Sequence, residues 1–141
     1  MMAGFVLRFV AYLIDAIIIS FATLIPLSIT YKVLYLVGGG AEEGPSKYAP
    51  LIIFAIPIIR LIYYSLFESS KFQATPGKLA LKLQVTDYDG ERISPSRAII
   101  RNLFKLLSLM IFYIGYLMIL WMEDQQGLHD IIGKTLVIKN E

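Results

Sequence analysis

The chain has 141 residues, of which 57% are hydrophobic and only 17% charged. A soluble domain is usually about 45–50% apolar and about 25% charged, and a small one lacks the interior to hide this much apolar surface, so the composition points to an integral membrane protein with a mean hydropathy of +0.65. The net charge of +2 gives no argument for nucleic acid, the lack of cysteine excludes disulfides and thiolate metal sites, and a single histidine, His129, excludes a multi-histidine metal site.

The first apolar stretch covers residues 4–27 and extends towards Leu36, with Pro26 as a candidate kink. It is too long for a signal core, and Ser20-Phe21-Ala22 is a poor cleavage site, so it reads as a retained span. Near its middle sits Asp15, with Arg8 seven residues before it. Seven residues turn a helix to within about 20° of two full turns, so both charges share one stripe, about 10.5 Å apart along the axis. Such charges are costly in an apolar helix unless they face protein or water, which marks a functional or packing site.

Residues 38–46 are glycine-rich and mildly acidic and read as a loop. A second span covers residues 50–67, near the lower limit of about 17 residues for a crossing. It carries Pro57 and Arg60 and closes with Tyr63, Tyr64 and Phe67 as an interfacial aromatic belt. If the two spans are antiparallel, Asp15 lies about 16 Å in from one side and Arg60 about 15 Å in from the other. Both reach one level near the midplane, so the geometry predicts an Asp15–Arg60 ion pair. Arg8, nearer the interface, has Glu68, Glu123, Asp124 or Asp130 as its candidate partners.

Residues 68–102 form a polar loop. Thr75-Pro76-Gly77-Lys78 reads as an N-cap with proline at the first helical position. It lacks the upstream glycine of a phosphate loop. Residues 81–86 alternate with period two and predict a strand. Asp89-Gly90 is a turn signal, and residues 91–94 are a candidate return strand. Ser94-Pro95 starts a helix by the same cap logic. Arg97, Arg101 and Lys105 follow at four-residue intervals, a basic amphipathic pattern suited to anionic lipid headgroups.

That helix merges into a third apolar block, residues 103–121, interrupted by Gly115 between Tyr113 and Tyr116. Residues 135–139 are another short strand candidate. Lysine and arginine crowd the 68–102 loop, which places it and the N-terminus in the cytoplasm and the glycine-rich loop outside. A sheet shared by the two best strands needs both on one side of the membrane. This favours a broken, re-entrant third block bent near residues 113–115 over a simple crossing.

Tyr12, His129 and Glu68 are candidate relay groups, His129 because histidine titrates near neutrality. No serine has a credible general base beside it, so nothing supports an enzyme, and no cofactor is implied.

Taken in order, several motifs together resemble one family. They are Gly4-Phe5-Val6-Leu7-Arg8-Phe9 through Leu13-Ile14-Asp15, then Phe67-Glu68-Ser69-Ser70 with Thr75-Pro76-Gly77-Lys78. Val85-Thr86-Asp87 with Asp89-Gly90, Arg97-Ala98 with Arg101-Asn102, and Gln126-Gly127-Leu128-His129-Asp130 complete the set. The chain resembles the RDD family of small bacterial membrane proteins, named for one arginine and two aspartates. The resemblance implies that Arg8 is the family arginine and that Asp15 and Asp130 are its aspartates. It also implies transport, since some members look like sodium–proton antiporters. Arg60 departs from the family pattern, as does the acidic run Met122-Glu123-Asp124-Gln125.

The expected fold is a single domain over residues 1–141, an all-α membrane protein. It is a short helical bundle of two full spans (4–27 and 50–67) and a third broken block (103–121), with a small cytoplasmic β-hairpin or sheet. The expected function is cation/proton exchange in the bacterial inner membrane, with Arg8, Asp15, Arg60 and Asp130 as the charge network and a monovalent cation and a proton as ligands. A chain this short is expected to act as a homodimer. The rival expectation is a non-transporting regulatory or assembly subunit.

Overall fold

The computed structural model describes residues 1–37, 49–110, 117–123 and 125–140. Helix α1, Phe5–Val37, runs through Pro26 without a break. At 33 residues it is about 50 Å long, against about 30 Å for a bilayer core. It has a mean hydropathy of 2.1 and is the one helix, among the described residues, long and apolar enough to cross a membrane. Ser20 and Thr23 would be polar blemishes in it, but their hydroxyls donate back to the Ala16 and Ile19 carbonyls at 2.7 and 2.8 Å.

Helix α2 is Ala49–Glu68 and continues through Pro57. A short helix α3, Pro76–Ala80, starts at Thr75 with proline in its first turn, as its sequence predicts. Strand β1, Leu83–Thr86, and helix α4, Pro95–Met110, follow. The Ser94 hydroxyl accepts from the Arg97 N–H at the start of α4. A 3₁₀ turn at Met118–Leu120, helix α5 (Leu128–Gly133) and strand β2 (Leu136–Lys139) complete the chain.

Strands β1 and β2 pair antiparallel, with Leu83 opposite Lys139 and Thr86 opposite Leu136. The two best strand candidates therefore do share one sheet. The expected return strand at 91–94 is not formed. It shrinks to one bridge, Thr86 with Arg92, because Pro95 opens α4 almost at once. The N-terminus takes the other edge instead: Met2 bridges Ile138, and the Ala3 N–H donates to the Val137 carbonyl at 2.9 Å. The predicted span boundary at 103 falls inside α4, and the bend expected at 113–115 lies outside the described residues, as does the glycine-rich loop.

The apolar core is small. Ala3, Ala11, Leu83, Val85, Ile93, Ala98 and Val137 form it where the sheet meets the starts of α1 and α4, with Leu7 and Leu81 packed alongside. Elsewhere the usual arrangement is inverted. On α4, Arg101, Asn102 and Ser108 are buried while Ile99, Ile100, Leu103 and Leu107 are exposed. On α1, Asp15 is buried while Phe9, Leu13, Ile17 and Phe21 are exposed. So many large exposed apolar side chains along α1 and α4 are unusual for a monomeric soluble protein. Polar side chains are inside because the outside is greasy.

Helix α1 packs mainly on α3, α2 on α4, and α4 on α5. Gly77 permits the first of these. A Cβ built there would stand 2.3 Å from the Ala11 carbonyl oxygen and 2.8 Å from the Asp15 carboxyl carbon. Helices α1 and α2 pack on different partners, and a cavity of about 280 Å³ opens between the first turns of α1, the last turns of α2, and α4.

Candidate functional site: a charged cavity behind an apolar helix

Arg8, Tyr12 and Asp15 descend one stripe of α1 and all face this cavity. The shared stripe inferred from the spacing of Arg8 and Asp15 is therefore real, but the two charges serve different neighbours. Helix α2 contributes Arg60 and Tyr64, α3 contributes Lys78, and α4 contributes Arg101, Asn102 and Lys105.

Asp15 is completely buried. Its Oδ2 accepts from the Thr75 hydroxyl at 2.5 Å. Its Oδ1 accepts from the Gly77 N–H at 2.8 Å and from the Tyr63 hydroxyl at 3.1 Å. The carboxylate thus does for α3 what a local cap does for most helices. It takes an orphan N–H of the first turn, from a residue 62 positions away in the chain. Thr75 holds the N-cap position but makes no cap bond to its own helix; it spends its hydroxyl on Asp15.

The expected Asp15–Arg60 ion pair is not formed. Arg60 instead donates from Nη1 to the Tyr12 hydroxyl at 3.2 Å. The reason is packing. Helix α1 lies against α3 rather than closely along α2, and the segment after α2 folds back to supply all of Asp15's donors except Tyr63. Neutral groups, not positive side chains, hold this carboxylate.

The positive side chains converge on two other buried carboxylates. Glu68, at the end of α2, accepts on Oε1 from Lys78 at 2.5 Å and Lys105 at 3.0 Å. On Oε2 it accepts from Arg101 and Asn102, both at 3.0 Å. An ionised carboxylate offers about four lone-pair positions, and Glu68 has all of them filled. Asp130, on α5, meets Arg8 at 2.5 Å on Oδ2 and Arg101 at 2.7 Å on Oδ1. It also caps its own helix, accepting from the Gly127 N–H at 3.2 Å. Arg101, 1% exposed, joins the two acids and so ties α2, α4 and α5 together.

Burial works to raise the Asp130 carboxyl, but the neighbouring His129, then the guanidinium groups of Arg101 and Arg8, outweigh it and hold it well below the usual carboxylate range. Burial pushes Lys78 below the usual lysine range, against the pull of Glu68. Burial also drives His129 down to about 3, although its Nε2 lies 3.4 Å from Asp130. His129 is therefore neutral near pH 7, and the relay expected of it on the strength of histidine's ordinary titration does not fit its setting. Nor does a saturated Glu68 suit the relay expected of it.

Two of the three residues expected at lipid headgroups are turned inward. Arg101 is buried, and the Lys105 side chain is 14% exposed against Glu68. Arg97 alone of the three is exposed, 3.6 Å from Asp87. The amphipathic pattern was right and its orientation inverted, because the apolar side of α4 is its outer face. Sequence reasoning correctly placed Asp130 among Arg8's candidate partners. It missed Lys78 and Asn102 as partners of Glu68, and Thr75, Gly77 and Tyr63 as partners of Asp15. For Lys78, Asn102, Thr75 and Gly77 the signal was their membership of motifs, which names residues without pairing them, and Tyr63 was read only as part of an aromatic belt.

The RDD family model matches residues 2–134. An uncharacterized protein of Bacillus subtilis (strain 168), YxaI, is 42% identical over 147 residues, covering 96% of each chain. No solved structure matches the chain.

Proposed function

This chain belongs to the RDD family of membrane-associated proteins, and from that premise and the charged cavity we propose that it moves a small ion across the bacterial inner membrane by exchanging a monovalent cation for a proton. The observation that carries the reading is the state of Asp15. Glu68 and Asp130 are saturated by donors, whereas Asp15 has three partners and one open acceptor position, on Oδ2. It faces the cavity, and hydroxyl oxygens of Thr75 and Tyr63 stand beside it. A carboxylate with a spare lone pair and neighbouring hydroxyls can take a proton or a weakly hydrated cation in turn. Tyr12 would be the group that passes the ion or proton towards it.

In this reading α1 and α2 cross the bilayer with the N-terminus in the cytoplasm, the side favoured by the basic 68–102 loop. The pairing of β1 with β2 then requires the chain between them to return to the side it left. Because Thr75 and Gly77 belong to that loop, Asp15 sits at the inner end of its span rather than at the midplane. A path through so small a chain would be completed by a second copy.

A second reading is favoured by the same contacts: Asp15 clamps α3 to α1 as a structural latch, and the protein is a non-transporting assembly subunit. Reconstitution in liposomes with a pH-sensitive dye separates them, adding sodium, lithium or potassium in turn. A cation-dependent proton flux that disappears in a well-folded Asp15→Asn variant supports exchange. Absence of flux with every cation, together with a co-purifying protein, supports the subunit.

A further inference from the structure

Among the described residues, the charges around the cavity do not balance. Arg8, Arg60, Lys78, Arg101 and Lys105 line it, while the carboxylates in or bonded to its wall are Asp15, Glu68 and Asp130. Asp15 is engaged by neutral donors alone, and Arg60 meets a tyrosine, not an acid. Excess positive charge in a buried site is expensive unless a counter-charge joins it.

The hydrogen bonds point the same way. Arg8 gives Nε to the Ala3 carbonyl at 2.8 Å and Nη1 to Asp130, but its buried Nη2 has no acceptor. The Arg8 side chain is 9% exposed. Arg60 gives Nη1 to Tyr12, and its buried Nε has no acceptor. Buried donors are nearly always matched. Here two guanidinium groups from different helices each leave one unmatched beside a single cavity. The planar fork of arginine suits tetrahedral oxyanions, and the lysine ammoniums of the wall add point charges.

We propose that the cavity binds a phosphate-type oxyanion, held between Arg8 of α1 and Arg60 of α2 with Lys105 of α4 nearby. The proposal does not depend on transport. Two sources carry this chemistry: free inorganic phosphate, or the headgroup of an anionic phospholipid entering from the side. The walls between the charged groups include Phe5, Phe9, Leu61 and Leu106, which could accompany either.

The test uses the full chain in nanodiscs. In discs of zwitterionic phosphatidylcholine, inorganic phosphate is titrated at constant ionic strength and followed by calorimetry and thermal unfolding. In parallel, protein from discs containing phosphatidylglycerol is examined by native mass spectrometry for retained lipid. Saturable phosphate binding identifies a free oxyanion; one retained phosphatidylglycerol without phosphate binding identifies the headgroup. Either result supports the site if Arg60→Gln, which breaks no ion pair among the described residues, weakens it at least tenfold while the circular dichroism spectrum is unchanged. Arg8→Lys, which keeps the charge but loses the fork, should weaken it several-fold. The proposal is overturned if neither phosphate nor the lipid binds. It is equally overturned if both variants bind as the unmodified protein does.

Discussion

Two buried acidic regions stand side by side in this molecule and are built on opposite plans. Around Glu68 and Asp130, cations from three helices fill the acceptor positions together with Asn102 and the Gly127 N–H: Arg8 of α1, Lys78 of α3, and Arg101 and Lys105 of α4. Around Asp15, the donors are a hydroxyl of the chain before α3, a backbone N–H and a phenol. The first plan makes a rigid junction whose members cannot be removed singly, since each deletion strands a buried charge. The second makes a clasp that needs one carboxylate and leaves part of it unused. A junction fixes architecture, while a clasp with an open position can respond to an ion.

The largest expected effect comes from breaking the junction. Arg101→Leu keeps an apolar stem but leaves Glu68 and Asp130 without the guanidinium that bridges them. Removing one partner of a buried pair typically costs about 3–5 kcal/mol, and here both acids lose a partner at once. The variant should express poorly, or unfold in detergent well below the unmodified protein in a thermal scan. A melting temperature within a degree of the original would mean that the bridge contributes little.

Acid should also attack the junction first. In the folded protein His129 stays neutral down to about 3, while in the unfolded chain it takes up a proton near 6.5. Between those values the unfolded state binds more protons, so stability falls as the pH is lowered. The slope approaches about 1.4 kcal/mol per pH unit when one full proton is involved. Asp130, held below its ordinary range, adds to the loss only at more acidic pH. His129→Gln should flatten the decline between pH 6 and 4.5 in a denaturation series. An unaltered slope would place the acid sensitivity elsewhere.

These two regions were unequally legible in the sequence. The heptad spacing of Arg8 and Asp15 placed both on one inward stripe, and the Thr-Pro and Ser-Pro pairs located the starts of α3 and α4, because such signals are local. The alternation at 81–86 and the β-branched run near the C-terminus located both strands, and the need for partners put them in one sheet. The pairings failed because they are long-range. Nothing near Asp15 announces that Thr75 will reach it, and Arg60 was an arithmetically attractive partner as long as α1 and α2 were assumed to lie together. Helix α4 failed for a different reason. Its basic stripe was read as facing anionic lipid headgroups, whereas Arg101 and Lys105 turn inward to Glu68 and the apolar side of the helix is left exposed.

The smallest effect sharpens the comparison most. Tyr63→Phe removes one 3.1 Å hydrogen bond to Asp15 Oδ1 and leaves the ring, with its tilted packing on Phe67, in place. A net hydrogen bond is worth about 0.5–1.5 kcal/mol, so unfolding should shift only slightly. The change opens a second acceptor position on Asp15 without touching the Thr75 and Gly77 contacts that clasp α3 to α1. If Asp15 is an ion-accepting group, its affinity for a cation should change in liposome flux measurements while the fold does not. If it is a latch alone, the variant should lose a little stability and nothing else, and the clasp would then be as purely structural as the junction beside it.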